Sequence, residues 1–448
     1  MSKKFFGTDG VRGTVGSDPM TADFAMRLAS AAAQVLVPKG GTVVIGKDTR
    51  LSGYMFESAL EAGFVAAGAD VLLLGPLPTP GIARLTQEFE ADLGVVISAS
   101  HNAFFDNGIK FFDRSGSKLT DEIEHQIEEH LKNPAITLES QALGKAKRID
   151  TARIRYEEFA AASMPGDVDL QGLKVVFDGA NGAGYKVGPR TLANLGAEVI
   201  PIGCSPNGRN INDGCGSTEP ELLQLTVPAL KADVGVALDG DGDRVLMVDE
   251  NGNLVDGDQL LFVLATARKD ENALNGPVVG TVMSNLGLEH ALKARDIEFL
   301  RAAVGDRYVL ESLRESGGVI GGETSGHMIV LDKTTTGDGL ISALQVLAIM
   351  KETGKSLSEL VAGMPKYPQM MVNVRMESQL DPGQSQEIQA AVAVAESELA
   401  DTGRVVLRAS GTEPVIRVMV EGEDEEQVVS LAKRLASVVA DAAASNPQ

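Results

Sequence analysis

Apolar positions recur at helical spacing over Phe24 to Val37 and Tyr54 to Ala67, and as short unbroken runs over Thr42 to Ile45, Val71 to Leu74 and Leu93 to Ile97. The first pattern predicts helices, and the second predicts buried strands that each run into a polar turn. Alternation of the two is the mark of an α/β chain. The pattern restarts at Lys174 to Phe177, followed by a helix after Tyr185 and strands over Glu198 to Ile202 and Val234 to Leu238. It restarts again at Val278 to Val282, with a helix over Leu288 to Ala294, a strand near Glu298 to Arg301 and a helix over Gly339 to Met350. The tail differs: a strand over Met370 to Val374, a helix over Ser385 to Leu399, strands over Val405 to Arg408 and Val415 to Val420, and a helix over Glu425 to Ala442. That β-α-β-β-α order reads as a small α+β layer. Polar stretches near Asp150, Asn251 to Gly257 and Pro365 to Pro368 place the borders. The expected plan is α/β: consecutive α/β domains over 1–150, 151–255 and 256–368, then a smaller α+β domain over 369–448.

The 448 residues are 44% hydrophobic and 23% charged, enough apolar material for several buried cores. Acidic residues outnumber basic ones by 62 to 40, a formal charge of −22. Such a balance repels phosphate backbones and anionic lipid, so neither nucleic acid nor a membrane is the expected partner. An anionic substrate would need a pocket that concentrates Arg and Lys against the global sign. Cys204 and Cys215 form no metal spacing and no disulfide framework, which suits a reducing cytosol. No signal-peptide core follows Lys3 and Lys4, and no apolar run approaches the ~20 residues of a membrane span. A cytoplasmic protein is expected.

Five motifs carry chemistry. Asp239-Gly-Asp241-Gly-Asp243-Arg244 puts carboxylates at alternate positions in a loop tight enough to aim all three at one point. Their mutual repulsion calls for a cation, and hard oxygen ligands favour Mg²⁺ or Ca²⁺. An EF-hand would need Gly where Arg244 stands and helices where the flanks read as strands. A solvated acidic turn is the plainer alternative. Ser98-Ala-Ser100-His101-Asn102 follows a strand, where α/β folds place their chemistry, but lacks the G-x-S-x-G of a hydrolase elbow. It reads either as a serine nucleophile or phosphate carrier, or as a polar turn. Gly179 to Lys186 resembles a phosphate loop, yet Tyr185 stands between the last Gly and the Lys, so tight helix–sheet packing accounts for it better. In Gly321-Gly-Glu323-Thr324-Ser325-Gly-His327, Glu and Ser two apart on an extended loop would face one way and suit sugar hydroxyls; a glycine turn is the alternative. Arg408-Ala-Ser410-Gly411-Thr412-Glu-Pro with Arg417 offers two guanidiniums, two hydroxyls and free amides for a phosphate, or forms an ordinary polar hairpin.

Taken in this order, the five motifs resemble the α-D-phosphohexomutase superfamily along essentially the whole chain. Phe6-Gly-Thr-Asp-Gly-Val-Arg12-Gly, Val304-Gly-Asp-Arg307-Tyr308 and Ser410-Gly-Thr-Glu-Pro414 point to its amino-sugar branch. Thr324 and Ala103 depart from the residues common in that branch, at positions that carry no chemistry in the family. The resemblance implies mixed sheets and four domains around a central cleft. It implies that Ser100 is the phosphoserine, and that Mg²⁺ is held by Asp239, Asp241 and Asp243 with a phosphate oxygen on Ser100. Arg12, Lys110 and Arg244 would surround the transferring phosphoryl, with Lys110, His101 or His327 as acid/base candidates. Glu323 and Ser325 would bind sugar hydroxyls, and Arg408, Ser410, Gly411, Thr412 and Arg417 the phosphate that is not reacting.

The implied reaction interconverts glucosamine 6-phosphate and glucosamine 1-phosphate through a 1,6-bisphosphate, which also serves as activator, and feeds UDP-N-acetylglucosamine and cell-envelope synthesis. The partner is thus a small sugar phosphate; a homodimer is one assembly left open. Competing readings are the phosphomannomutase or phosphoglucomutase branch, a non-enzymatic sugar-phosphate or cation binder, and a Mg²⁺ phosphatase acting through a phospho-enzyme.

Overall fold

The computed structural model describes residues 4–7, 9–376, 382–409 and 415–444. By packing, the chain divides into residues 1–281 with 302–361, and residues 282–301 with 362–448.

In the first unit, the apolar strands Thr42–Lys47, Asp70–Pro76 and Leu93–Ile97 lie parallel, since the helices Ser52–Ala66 and Thr79–Glu88 carry the chain back between them. Ala146–Arg148 adds a parallel strand at one edge. Asp106–Asp113 and Val11–Thr14 add antiparallel strands at the other, so the sheet is mixed. A second sheet centres on Lys174–Asp178, parallel to Glu198–Ile202 and to Val234–Leu238. It continues antiparallel through Val245–Val248 and Leu254–Val255. Because Leu238 pairs with Val245, residues 239–244 are left as the hairpin loop. In a third sheet Val278–Thr281 runs parallel to Ile320–Gly322, which pairs antiparallel with Met328–Val330. The serine loop and the three-aspartate loop thus both leave the carboxyl ends of buried strands.

In the second unit, the strands Gln369–Arg375, Val415–Gly422 and Gly403–Ala409 form an antiparallel sheet, with the Val415 strand central. Val418, Val420, Leu399, Leu431 and Leu435 pack between it and the helices Gln386–Leu399 and Glu425–Ala444. The helix Leu286–Lys293 belongs to this unit too: Arg404 donates to the carbonyls of Val282 at 3.0 Å and Ser284 at 2.7 Å. Among the described residues no helix is long and apolar enough to cross a membrane.

Among the elements that position the site and are absent from the periodicity reading, two open on turn signals. Thr79–Glu88 opens with Thr-Pro-Gly, which reads as a turn, but a proline in the first helical turn removes no needed donor. Asp106–Asp113 opens with Asp-Asn-Gly, another turn signal, and becomes a strand because the antiparallel partner Leu93–Ile97 satisfies its backbone.

Candidate active site

Ser100 lies buried just beyond the strand Leu93–Ile97, with φ +52 in the left-handed region. Its Oγ donates to Asp239 Oδ2 at 2.6 Å and lies 3.4 Å from His101 Nδ1. The neighbouring Ser98 hydroxyl has no such freedom. It donates to Asp48 Oδ2 at 2.5 Å and accepts the Ser100 N–H at 3.0 Å.

Asp239, Asp241 and Asp243 are all buried, and each offers an oxygen within 4.8 Å of the others. The loop reaches the serine because glycine stands between the carboxylates: a Cβ at Gly240 would lie 2.6 Å from Ser100 O. The Gly179–Lys186 loop packs from the other side, where a Cβ at Gly182 would lie 2.3 Å from Gly240 O. Asp239 Oδ1 accepts from the amides of Gly242 at 3.1 Å and Arg244 at 3.2 Å. Burial, then Asp243 and Asp241, still push its carboxyl well above the usual range. Asp241 Oδ2 accepts from Thr79 Oγ1 at 2.6 Å and Lys110 Nζ at 2.8 Å, while its Oδ1 and Asp243 Oδ1 have no hydrogen-bond donor. Buried oxygens without donors, in an all-oxygen set on one short loop, fit a hard divalent cation.

Basic groups close the cluster. Lys110 sits on the strand Asp106–Asp113, buried, 2.9 Å from Asp9 Oδ2 and 3.7 Å from Asp243 Oδ2. Burial disfavours its charge, but Asp241, Asp9 and Asp243 outweigh that and raise its pKa, so the ammonium persists at neutral pH. Arg12, on the strand Val11–Thr14, pairs with Asp9, and Arg244 Nε lies 3.9 Å from Asp243 Oδ1. His101 is lowered to about 4 by burial and by the Arg244 and Arg12 guanidiniums, and is neutral at pH 7. His327 lies buried between Asp243 and Asp306, 3.6 Å from each. Burial opposes its charge, yet those two carboxylates raise it to about 9. Of the acid/base candidates, His101 alone is neutral near pH 7 in this arrangement.

Glu323 and Ser325 do not lie on an extended loop. Gly322 pairs with Met328, and residues 323–326 form a turn in which Gly326 N donates to Glu323 O at 2.8 Å. Glu323 Oε1 accepts the Gly305 N–H at 3.0 Å, while Ser325 is exposed. The turn bends away from alternation because its closing hydrogen bond and Gly326, at φ +89, favour reversal over extension.

Four family models match the chain: phosphoglucomutase/phosphomannomutase α/β/α domain I over residues 3–136, domain II over 157–252, domain III over 256–367 and the C-terminal domain over 371–438. The phosphoglucosamine mutase of Alcanivorax borkumensis is 57% identical, over 98% of this chain and 99% of that protein. Phosphoglucosamine mutase 1 of Shewanella amazonensis is 55% identical, over 98% of each. The chain belongs to the bacterial phosphoglucosamine mutase family of the α-D-phosphohexomutases. Among solved structures, the putative phosphomannomutase of Thermus thermophilus aligns with a TM-score of 0.77 and 26% identity, over 98% of this chain and 100% of that one. The phosphohexomutase is thus a mutase, an isomerase that moves phosphate within one molecule.

In this phosphohexomutase, Arg408 and Arg417 belong to the second unit, and their strands place them directly opposite one another. Ser410, Gly411 and Thr412 lie outside the described residues. Sequence reading passed over several charged residues of the same phosphohexomutase network. Lys118 pairs with both Asp9 and Asp306, and Asp9 also holds Arg12 and Lys110. Burial would raise the Asp9 carboxyl, but Lys110, Lys118 and Arg12 hold it well below the usual range. Asp9 and Asp306 stand inside the two glycine motifs already quoted, which was the available signal; Lys118 has no motif around it.

Proposed function

We propose that this chain interconverts glucosamine 6-phosphate and glucosamine 1-phosphate through a phosphoryl group carried on Ser100 and a sugar 1,6-bisphosphate intermediate. The observation that carries this reading is the buried Ser100 Oγ, 2.6 Å from Asp239 and facing the three-carboxylate loop that Lys110 closes. The near full-length relatives named phosphoglucosamine mutase support the amino sugar.

In the first half-reaction the sugar O1 attacks the phosphorus of phospho-Ser100. The O1–P bond forms, the Oγ–P bond breaks, the O1 proton passes to a base, and Oγ takes a proton back. His101, neutral and 3.4 Å from Oγ, is the group placed to hold a proton there. Lys110, Arg12 and Arg244 neutralise the charge that gathers on the transferring oxygens. Asp239, Asp241 and Asp243 would hold Mg²⁺, which when bound supplies further charge neutralisation at the transferring phosphoryl. The bisphosphate then turns end for end and returns its 6-phosphate to Ser100. Glu323 and Ser325 bind the sugar, and Arg408, Ser410, Gly411, Thr412 and Arg417 hold the other phosphate. A free sugar 1,6-bisphosphate primes an unphosphorylated Ser100, and the reaction belongs in the cytoplasm.

The test is an assay for glucosamine 1-phosphate with and without a bisphosphate primer, beside kcat/KM for glucose and mannose phosphates. Primed turnover favouring the amino sugar is expected. Higher kcat/KM on a plain hexose would move the chain to another branch, and free phosphate as the main product would make it a phosphatase.

A further inference from the structure

Ser100 holds a left-handed backbone conformation that a residue with a Cβ rarely adopts, so its surroundings must enforce it. The groups that do so come from another strand end. Asp48 and Arg50 follow the parallel strand Thr42–Lys47, and both are fully buried. Arg50 Nε donates to Asp48 Oδ2 at 2.8 Å. The far end of the Arg50 fork spreads over the serine loop: Nη2 donates to the carbonyls of Ser100 at 3.0 Å and Asn102 at 2.8 Å, and Nη1 to those of Ala103 and Asp106. Asp48 Oδ2 also accepts from Ser98 Oγ, which in turn accepts the Ser100 N–H. One buried ion pair therefore grips Ser100 on both sides, its N–H through Ser98 and its carbonyl through Arg50. Asn212 adds a second donor to that carbonyl at 2.9 Å. Only the Ser100 side chain is left out of the grip, and it points to Asp239.

We propose that Asp48, Arg50 and Ser98 are positioning residues that hold the Ser100 backbone in its left-handed conformation, so that Oγ faces the carboxylate loop, and that they act on phosphoryl exchange at Ser100 and not on sugar affinity. The inference rests on Ser100 being the phosphoryl carrier. Charge alone does not explain the arrangement. A lysine at position 50 would neutralise Asp48 equally well, but a single ammonium cannot serve four carbonyls at once, whereas a planar guanidinium fork can.

The experiment treats the full-length protein and its Ser98→Ala and Arg50→Lys variants with glucose 1,6-bisphosphate. It follows phosphoryl uptake at Ser100 by peptide mass mapping, alongside kcat, KM and Tm. For both variants we expect uptake and kcat about tenfold lower or more, with KM for glucosamine 6-phosphate within about twofold. Ser98→Ala removes a single hydroxyl and keeps the ion pair; if Arg50→Lys fails to fold, Ser98→Ala decides alone. Uptake at the parental rate in folded Ser98→Ala would overturn the proposal while leaving Ser100 as carrier. A parent protein that takes no phosphoryl on Ser100 would instead overturn the carrier reading, and this inference with it.

Discussion

Ser98 and Ser100 share a sequence motif but differ in what their hydroxyls already do. Ser98 Oγ donates to Asp48 and accepts the Ser100 amide, whereas Ser100 Oγ donates to Asp239 on the carboxylate loop and lies 3.4 Å from His101 Nδ1. Ser100→Ala should therefore abolish turnover while leaving Tm within a degree or two, and peptide mapping should place the active phosphate on Ser100. Active phosphate found on Ser98 would contradict the geometry. Asp241 carries the second prediction. It is buried, accepts from Lys110 and Thr79, and leaves Oδ1 without a donor. Asp241→Asn removes one of three convergent charges and should weaken Mg²⁺ binding by tenfold or more, about 1.4 kcal/mol, measured by calorimetric titration. Unchanged affinity would place the cation elsewhere.

The helix Gly339–Thr353 buries Leu340, Ile341, Leu344 and Leu347, and is capped by Asp338, whose side chain accepts from Ile341 N at 2.9 Å. Tyr156 Oη donates to the same carboxyl at 3.0 Å. Burial raises Asp338 from 3.8 to about 7, against the help of those donors. Between these values the folded state binds a proton that the unfolded state has released. Its contribution is therefore full below about pH 4 and is lost as pH rises through 7. Asp338→Asn keeps the cap acceptor and removes the titration. Relative to the parent, it should gain stability as pH rises from about 4 to about 7 and level off above that in thermal unfolding, and a constant difference across this range would refute the assignment. The sugar turn is a second element whose shape carries its chemistry. It holds Glu323 on Gly305 N and exposes Ser325, so the carboxylate is the stronger candidate contact. Glu323→Ala should lower kcat/KM by about tenfold, a loss of roughly 1–3 kcal/mol in transition-state binding. Parental kinetics would return the turn to a purely structural role.

Across the whole molecule, the second unit sets two guanidiniums against each other. Arg408 and Arg417 are directly opposite on paired strands, and neither forms an ion pair among the described residues. Like charges so placed destabilise a sheet unless an anion answers them. We therefore expect Arg417→Ala to leave Tm unchanged or higher, to raise KM more than it lowers kcat, and to release more bisphosphate per turnover. A lower Tm with unchanged KM would show that Arg417 serves the fold.

Features whose partners lie within a few residues were legible along the chain. Alternate carboxylates separated by glycine can aim at one point, and polar loops after short apolar runs read as strand ends. Separation along the chain decided what stayed hidden. Lys110 lies on a strand whose opening Asp-Asn-Gly reads as a turn, and only pairing with Leu93–Ile97 makes it extended and brings the ammonium to Asp241. Lys118 meets Asp306, 188 positions away, and Arg50 meets the serine loop from a different strand end. The choice of Ser100 over Ser98 also rested, in the sequence, on resemblance alone. The hydrogen bonds that distinguish the two hydroxyls come from Asp48 and Asp239, which reach them only when two sheets are folded; local spacing places a side chain on a loop, but its partners are set by packing.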